Sequence, residues 1–106
     1  MTPVVFVRPK AENDLIQIWL YIARDNPAAA DKVFLSAEKT FESIASMPEI
    51  GTKYRSLRSE LRGVRFFPIK KFHNYIIYYR PIPNGIEILR VLHGHMDTPR
   101  HIESEE

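Results

Sequence analysis

The chain contains no cysteine. That absence excludes disulfides, thiolate-bound zinc and a cysteine nucleophile together. No apolar run approaches the roughly 20 residues needed to span a bilayer. The opening MTPVVFVRPK is too short and too soon charged for a secretory leader. A serine-based triad, a phosphate-cradling glycine loop and a carboxylate dyad are all missing at any workable spacing, as is a His-Glu-x-x-His signature. What remains is a 106-residue chain whose hydrophobic fraction, 44%, is ordinary for a packed globule. That length supports one core and not a second. Residues 1–106 therefore read as a single domain of a soluble, cytoplasmic protein.

The net charge of +2 conceals an asymmetry. Residues 1–50 carry 5 basic and 7 acidic side chains, whereas residues 51–102 carry 10 basic and 3 acidic ones, before the acidic end ESEE. Between positions 53 and 71 stand Lys53, Arg55, Arg58, Arg62, Arg65, Lys70 and Lys71 against the single acid Glu60. Such a concentration suits a polyanion or an acidic protein segment, and it equally suits a solvated face of a basic protein. Tyr54, Phe66, Phe67 and Phe72 lie within it, but strand alternation sends most of these rings inward, which weakens them as base-stacking platforms.

Hydrophobic periodicity sets the element order. VVFVR (4–8) is a short β-rich run closed by Pro9. Leu15, Ile18, Trp19 and Ile22 then recur at helical spacing, with Leu20 and Ala23 widening the stripe toward a further neighbour. Asn26-Pro27 restarts a helix, with asparagine at the cap, proline at the first turn and Asp31 near the positive dipole end. Ala30, Phe34, Ala37, Phe41, Ile44 and Ala45 hold its face as far as Pro48. The turn between the two is short enough to require a helical hairpin. PEIGTKYRSL (48–57) has no period and reads as a loop. LRGVRFFPI, YIIYYR and IEILRVLH then read as strands, the last two joined by PIPNG (81–85), whose Asn-Gly pair can take positive φ. The expectation is an α+β fold, β-α-α-β-β-β, with the helical hairpin packed on a small antiparallel sheet.

Two constellations bear chemistry. In LRVLHGHMDT (89–98), His93, His95 and Asp97 alternate, and a continuing strand would place them on the side of Leu89 and Val91. A His-x-His pair is a legitimate start to a zinc site. Gly94 interrupts it, however, and no fourth ligand is evident beyond His101, so the expectation is no metal and no cofactor. The second is metal-free phosphodiester cleavage, which needs a base, an acid and cations around the phosphorane. Arg65, Lys70, Lys71, Arg90, His73, His93 and His95 supply those groups if they converge. Arg65 and Arg90, expected on adjacent strands, are the more suggestive pair, with Glu87, Asp97 or a bound protein as the ordinary partner of a strand arginine.

DLIQIWLYIARDNPAAADKVF, the Pro-Glu-Ile-Gly after the second helix, and LRGVRFFPIKKFHNYIIYYRPIPNGIEILRVLHGHMD together resemble the RelE/ParE family of bacterial toxins, closest to its ParE branch, over about residues 4–102. The resemblance implies the toxin of a type II toxin–antitoxin pair, of the kind also called plasmid stabilisation proteins. It implies a cognate antitoxin as partner, a possible toxin–antitoxin heterotetramer, and no membrane. ParE-like members poison DNA gyrase by binding it. RelE-like members cut messenger RNA on the ribosome, which makes a metal-independent endoribonuclease the alternative, with Arg65, Arg90, His93 and His95 as its candidate catalytic residues. The strand position of a key arginine in RelE-like toxins falls near Tyr75 here, and no tyrosine follows Asp97. The arginine frequent before the aspartate in ParE-like chains is Met96. For the gyrase reading no residue is catalytic. The candidate contacts for target or antitoxin are then Lys53, Arg55, Arg58, Arg62, Arg65, Lys70, Lys71, Arg90, His95, Met96 and Asp97. A toxin fold that binds its antitoxin but has lost toxicity is a third reading.

Overall fold

The computed structural model describes residues 2–94. Strand β1 (Val4–Val7) runs into helix α1 (Pro9–Ala23), so Pro9 opens the helix as well as ending the strand. Its missing N–H is one that a first helical turn leaves unbonded anyway. Helix α2 (Pro27–Ser46) starts as the sequence requires: the Asn26 side chain accepts a hydrogen bond from the Ala29 N–H at 3.1 Å. Asp31 serves differently from expectation, because its carboxylate accepts the Trp19 indole N–H at 2.9 Å and so ties the two helices together. Leu20 does not extend the packed stripe and stays exposed.

The chain after α2 is more ordered than a loop. A 3-10 turn at Pro48–Ile50 leads into a two-residue strand β2 (Thr52–Lys53). A second such turn spans Ser59–Leu61, and β3 begins only at Arg65, running to Ile69. Gly63, at φ +86°, separates that turn from the strand, a conformation that favours glycine. Strands β4 (Phe72–Ile82) and β5 (Gly85–His93) complete the set. Their turn falls where PIPNG placed it, yet neither Asn84 nor Gly85 takes positive φ. Gly85 is needed for another reason: a Cβ there would lie 1.8 Å from the Val4 carbonyl oxygen.

The sheet has the order β1-β5-β4-β3-β2. It is mixed rather than antiparallel, because β1 lies parallel to β5 while every other pair is antiparallel. Strands β1 and β5 are separated in sequence by both helices and three strands, a connection long enough for the crossover that a parallel pair requires. Strand β1 closes the far edge of the sheet alongside the last strand.

Register between β4 and β5 slips at Tyr78/Tyr79, which face Arg90 and Ile88 respectively and leave Leu89 as the extra residue of a bulge. The slip changes which side chains share a face. Ile86, Ile88 and Val91 all enter the core under the helices, whereas Leu89 and Leu92 pack on the opposite side. Leu89 and Val91 therefore do not share a face, as uninterrupted alternation predicted. The larger core joins Ala11 and Leu15 of α1 and Ala37, Phe41 and Ile44 of α2 to Ile69, Ile77, Tyr79 and the β5 residues. On the other face, Leu61 and Val64 close over Tyr78 and Leu92, flanked by Tyr54 and Phe66. The segment between β2 and β3 is thus the cover of the second sheet face.

Candidate functional site

The cover segment carries apolar residues inward and cations outward. Leu61 and Val64 are buried, and the Tyr54 ring stands edge-on to Tyr78 at 6.0 Å. Lys53, Arg55 and Arg62 are exposed around a recess of about 860 Å³ that Arg58 also lines. Arg58 donates to the Glu60 carboxylate at 3.0 Å. A bond to its own backbone and this guanidinium hold Glu60 below the usual carboxylate range. At the rim Leu57 is fully exposed, at 106% of its reference area. Leu57 is thus a single apolar side chain set among cations at the rim of the recess.

The remaining basic residues serve elsewhere. Arg65 folds against the turn after α2, donating to the Gly51 carbonyl at 2.7 Å and the Glu49 carbonyl at 3.1 Å. The neighbouring Tyr79 hydroxyl accepts from the Gly51 N–H at 2.9 Å and donates to the Pro48 carbonyl at 2.6 Å. Burial pushes the Tyr79 phenol above its ordinary pKa, against the opposing pull of the Gly51 hydrogen bond. Lys70 and Lys71 form the β3–β4 turn, at the opposite end of β3 from Arg65. The Lys70 ammonium donates to Ser43 Oγ at 2.9 Å, and Lys71 holds φ +72°.

Arg90 belongs to a different part of the molecule. Strand β4 lies between β3 and β5, so Arg65 and Arg90 are not on adjacent strands. The partner of Arg90 is Asp14 of α1, not Glu87: Nε and Nη2 reach its two carboxylate oxygens at 2.7 and 2.9 Å. Glu87 is taken by Arg8 and Arg80. Asp14 also accepts the Val91 backbone N–H at 3.0 Å. His93 ends β5 with its ring edge-on to Tyr75 at 5.3 Å, and His73 is exposed on β4. The arginines and histidines proposed for phosphodiester cleavage therefore do not gather at one centre among the described residues. His95, Met96, Asp97 and His101 lie outside them. Among the described residues no three His, Asp or Glu side chains cluster as metal ligands, and no helix is long and apolar enough to cross a membrane.

Sequence reading missed Asp14 and Tyr79. A lone aspartate beside Leu15 carries no periodic signal. The Tyr79 hydroxyl can be placed only once the turn at Pro48–Gly51 is known to pass over it.

Comparison with known proteins bears on this architecture. A chain of the chromosomal ParDE TA system from P. aeruginosa superposes on it with a TM-score of 0.67 and 20% sequence identity, covering 87% of this chain and 96% of that chain. At that identity the likeness defines the class of fold: two helices on a five-stranded mixed sheet, as in that toxin–antitoxin structure. The family model for the ParE toxin of the type II toxin–antitoxin system parDE matches residues 5–98, and the chain belongs to that family. No curated protein sequence matches it.

Proposed function

We propose that this ParE-family chain acts by binding DNA gyrase in the cytoplasm and is silenced by a cognate antitoxin, with which it forms a heterotetramer. The observation that carries this reading is how its cations are used. Arg65 is taken up by main-chain carbonyls and Arg90 by Asp14. Lys53, Arg55 and Arg62 stand exposed with Arg58 around one recess. A binding poison needs such an outward surface, whereas a ribonuclease needs cations converging on a phosphate. Family membership and fold support the toxin class, and a fold alone does not choose the target.

One toxin preparation divided between two assays tests it. Added to gyrase, ATP and plasmid, the toxin should suppress supercoiling and accumulate cleaved DNA in proportion to its own concentration, and antitoxin should prevent this. Added to translating ribosomes, it should leave messenger intact. Cut messenger with unaffected supercoiling would establish the ribonuclease reading instead.

A further inference from the structure

The cover segment is a loop closed on itself. Across its base the Tyr54 N–H donates to the Val64 carbonyl at 2.8 Å, and Leu61 and Val64 anchor it in the core of the second sheet face. From β4 the Arg80 guanidinium donates to the Glu60 carbonyl. At the tip, Ser56 Oγ accepts the Arg58 N–H at 3.1 Å. A loop whose ends meet and whose own side chains pack it is a compact, shaped element. Leu57 projects from that tip, fully exposed, and Lys53, Arg55 and Arg62 stand exposed around the same recess.

Two features of this surface select its occupant. Docking sites for proteins present contiguous apolar patches, whereas the apolar element here is one side chain. Single-stranded nucleic acid needs open aromatic faces on which bases stack. Tyr54 and Phe66 do not offer them, because both rings pack against Tyr78. One leucine flanked by cations matches duplex DNA instead. An apolar wedge enters a base step from the minor groove and unstacks it, while cations beside it meet the flanking phosphates. The anchored base matters, since a wedge on a slack loop would fold back rather than part the bases.

We infer that the recess binds double-stranded DNA, with Lys53, Arg55 and Arg62 on backbone phosphates and Leu57 inserted at a base step. Pyrimidine–purine steps, which unstack most readily, are preferred. The inference deepens the gyrase reading and rests on it for where the toxin meets DNA, namely the duplex that gyrase holds. An acidic antitoxin segment lying on the same cations would compete with that duplex.

The test uses the full chain and a short duplex with 2-aminopurine at a central TA step, titrated by fluorescence without gyrase. Toxin should raise the emission, as unstacking does. The logarithm of the binding constant should fall against that of salt with a slope of about −3, for three phosphates. Replacing Lys53, Arg55 and Arg62 with glutamine should remove that slope and weaken binding by about tenfold or more at low salt. Leu57→Ser should keep the slope and the unfolding midpoint but abolish the emission rise. Leu57→Met, still an apolar wedge, should retain it. Binding without an emission rise, a rise that survives Leu57→Ser, tighter binding to the matching single strand, or no binding at low salt would each overturn the inference. The same preparations in the supercoiling assay keep the two readings apart. Supercoiling suppressed by a toxin that does not bind the duplex would overturn this inference alone. Duplex binding with supercoiling unaffected would support it and overturn the gyrase target alone.

Discussion

Asp14 of α1 and Arg90 of β5 form a two-pronged ion pair across 76 positions of sequence, and the same carboxylate accepts the Val91 N–H. Beyond Ile88, β5 has no β1 partner, so Asp14 satisfies an edge amide that would otherwise be unpaired. The side chains are 12% and 11% exposed, so removing one leaves its partner's charge nearly out of water. Asp14→Ala should cost about 3 kcal/mol by denaturant unfolding. Arg90→Ala should cost a similar amount. A loss below about 1 kcal/mol would show the pair to behave as a solvated one.

The Tyr79 hydroxyl and Arg65 together hold the turn that follows α2. Tyr79→Phe removes two hydrogen bonds and should cost about 1–2 kcal/mol near neutral pH. The pH dependence has a definite sign. Burial raises the Tyr79 pKa in the folded chain above its ordinary value of 10.0. The neutral phenol therefore contributes stability below about pH 10, and this is lost as the pH rises through the folded value. Burial acts in the same direction on Tyr75, aided by Tyr21. Unfolding free energy measured across the alkaline range should fall more steeply in the native chain than in Tyr79→Phe. Equal slopes would remove the linkage to this phenol.

Charge removal at the recess should separate binding from folding. Lys53, Arg55 and Arg62 are exposed, so replacing all three with glutamine should change stability by less than about 1 kcal/mol. Association with an acidic antitoxin segment should slow, and its rate should lose most of its dependence on ionic strength. Stopped-flow association at several salt concentrations reads both. An unchanged rate and salt slope would place the antitoxin elsewhere on the surface.

Periodicity made the helices legible. Leu15 and Ile44 sit in the core where their spacing put them, and Asn26 caps α2. It also separated the strands of the second half, because β-branched and aromatic residues alternate there. What it could not supply was long-range geometry. A parallel β1 is set by which edge remains open after the other strands pair, and VVFVR contains no mark of that choice. The bulge at Leu89 is equally silent, yet it decides which β5 side chains meet the helices. The run of cations from Lys53 to Lys71 is continuous in sequence and divided in space. Arg65 is absorbed by carbonyls, Lys70 and Lys71 are carried to the far end of β3, and only the cover segment keeps its charges together. Composition registers charge but not the direction of a side chain.

Gly85 tests the unpredicted parallel edge most directly. A Cβ at this position would come within 1.8 Å of the Val4 carbonyl oxygen and 2.7 Å of its carbonyl carbon and nitrogen. These are backbone atoms, so no side-chain rotation relieves the clash. Gly85 does not hold positive φ, which leaves close approach, not backbone conformation, as the reason for glycine. Gly85→Ala should therefore push β1 away from β5 and loosen Val5 and Val7 from the core beneath the helices. The expected cost is about 2–4 kcal/mol, despite the general gain from replacing glycine where its conformation is ordinary. Amide exchange should accelerate first at Val4 and Arg8, whose N–H groups bond β5, while Ile77 and Val91 stay protected. A stabilised variant, or one in which all strands open together, would contradict the placement of β1.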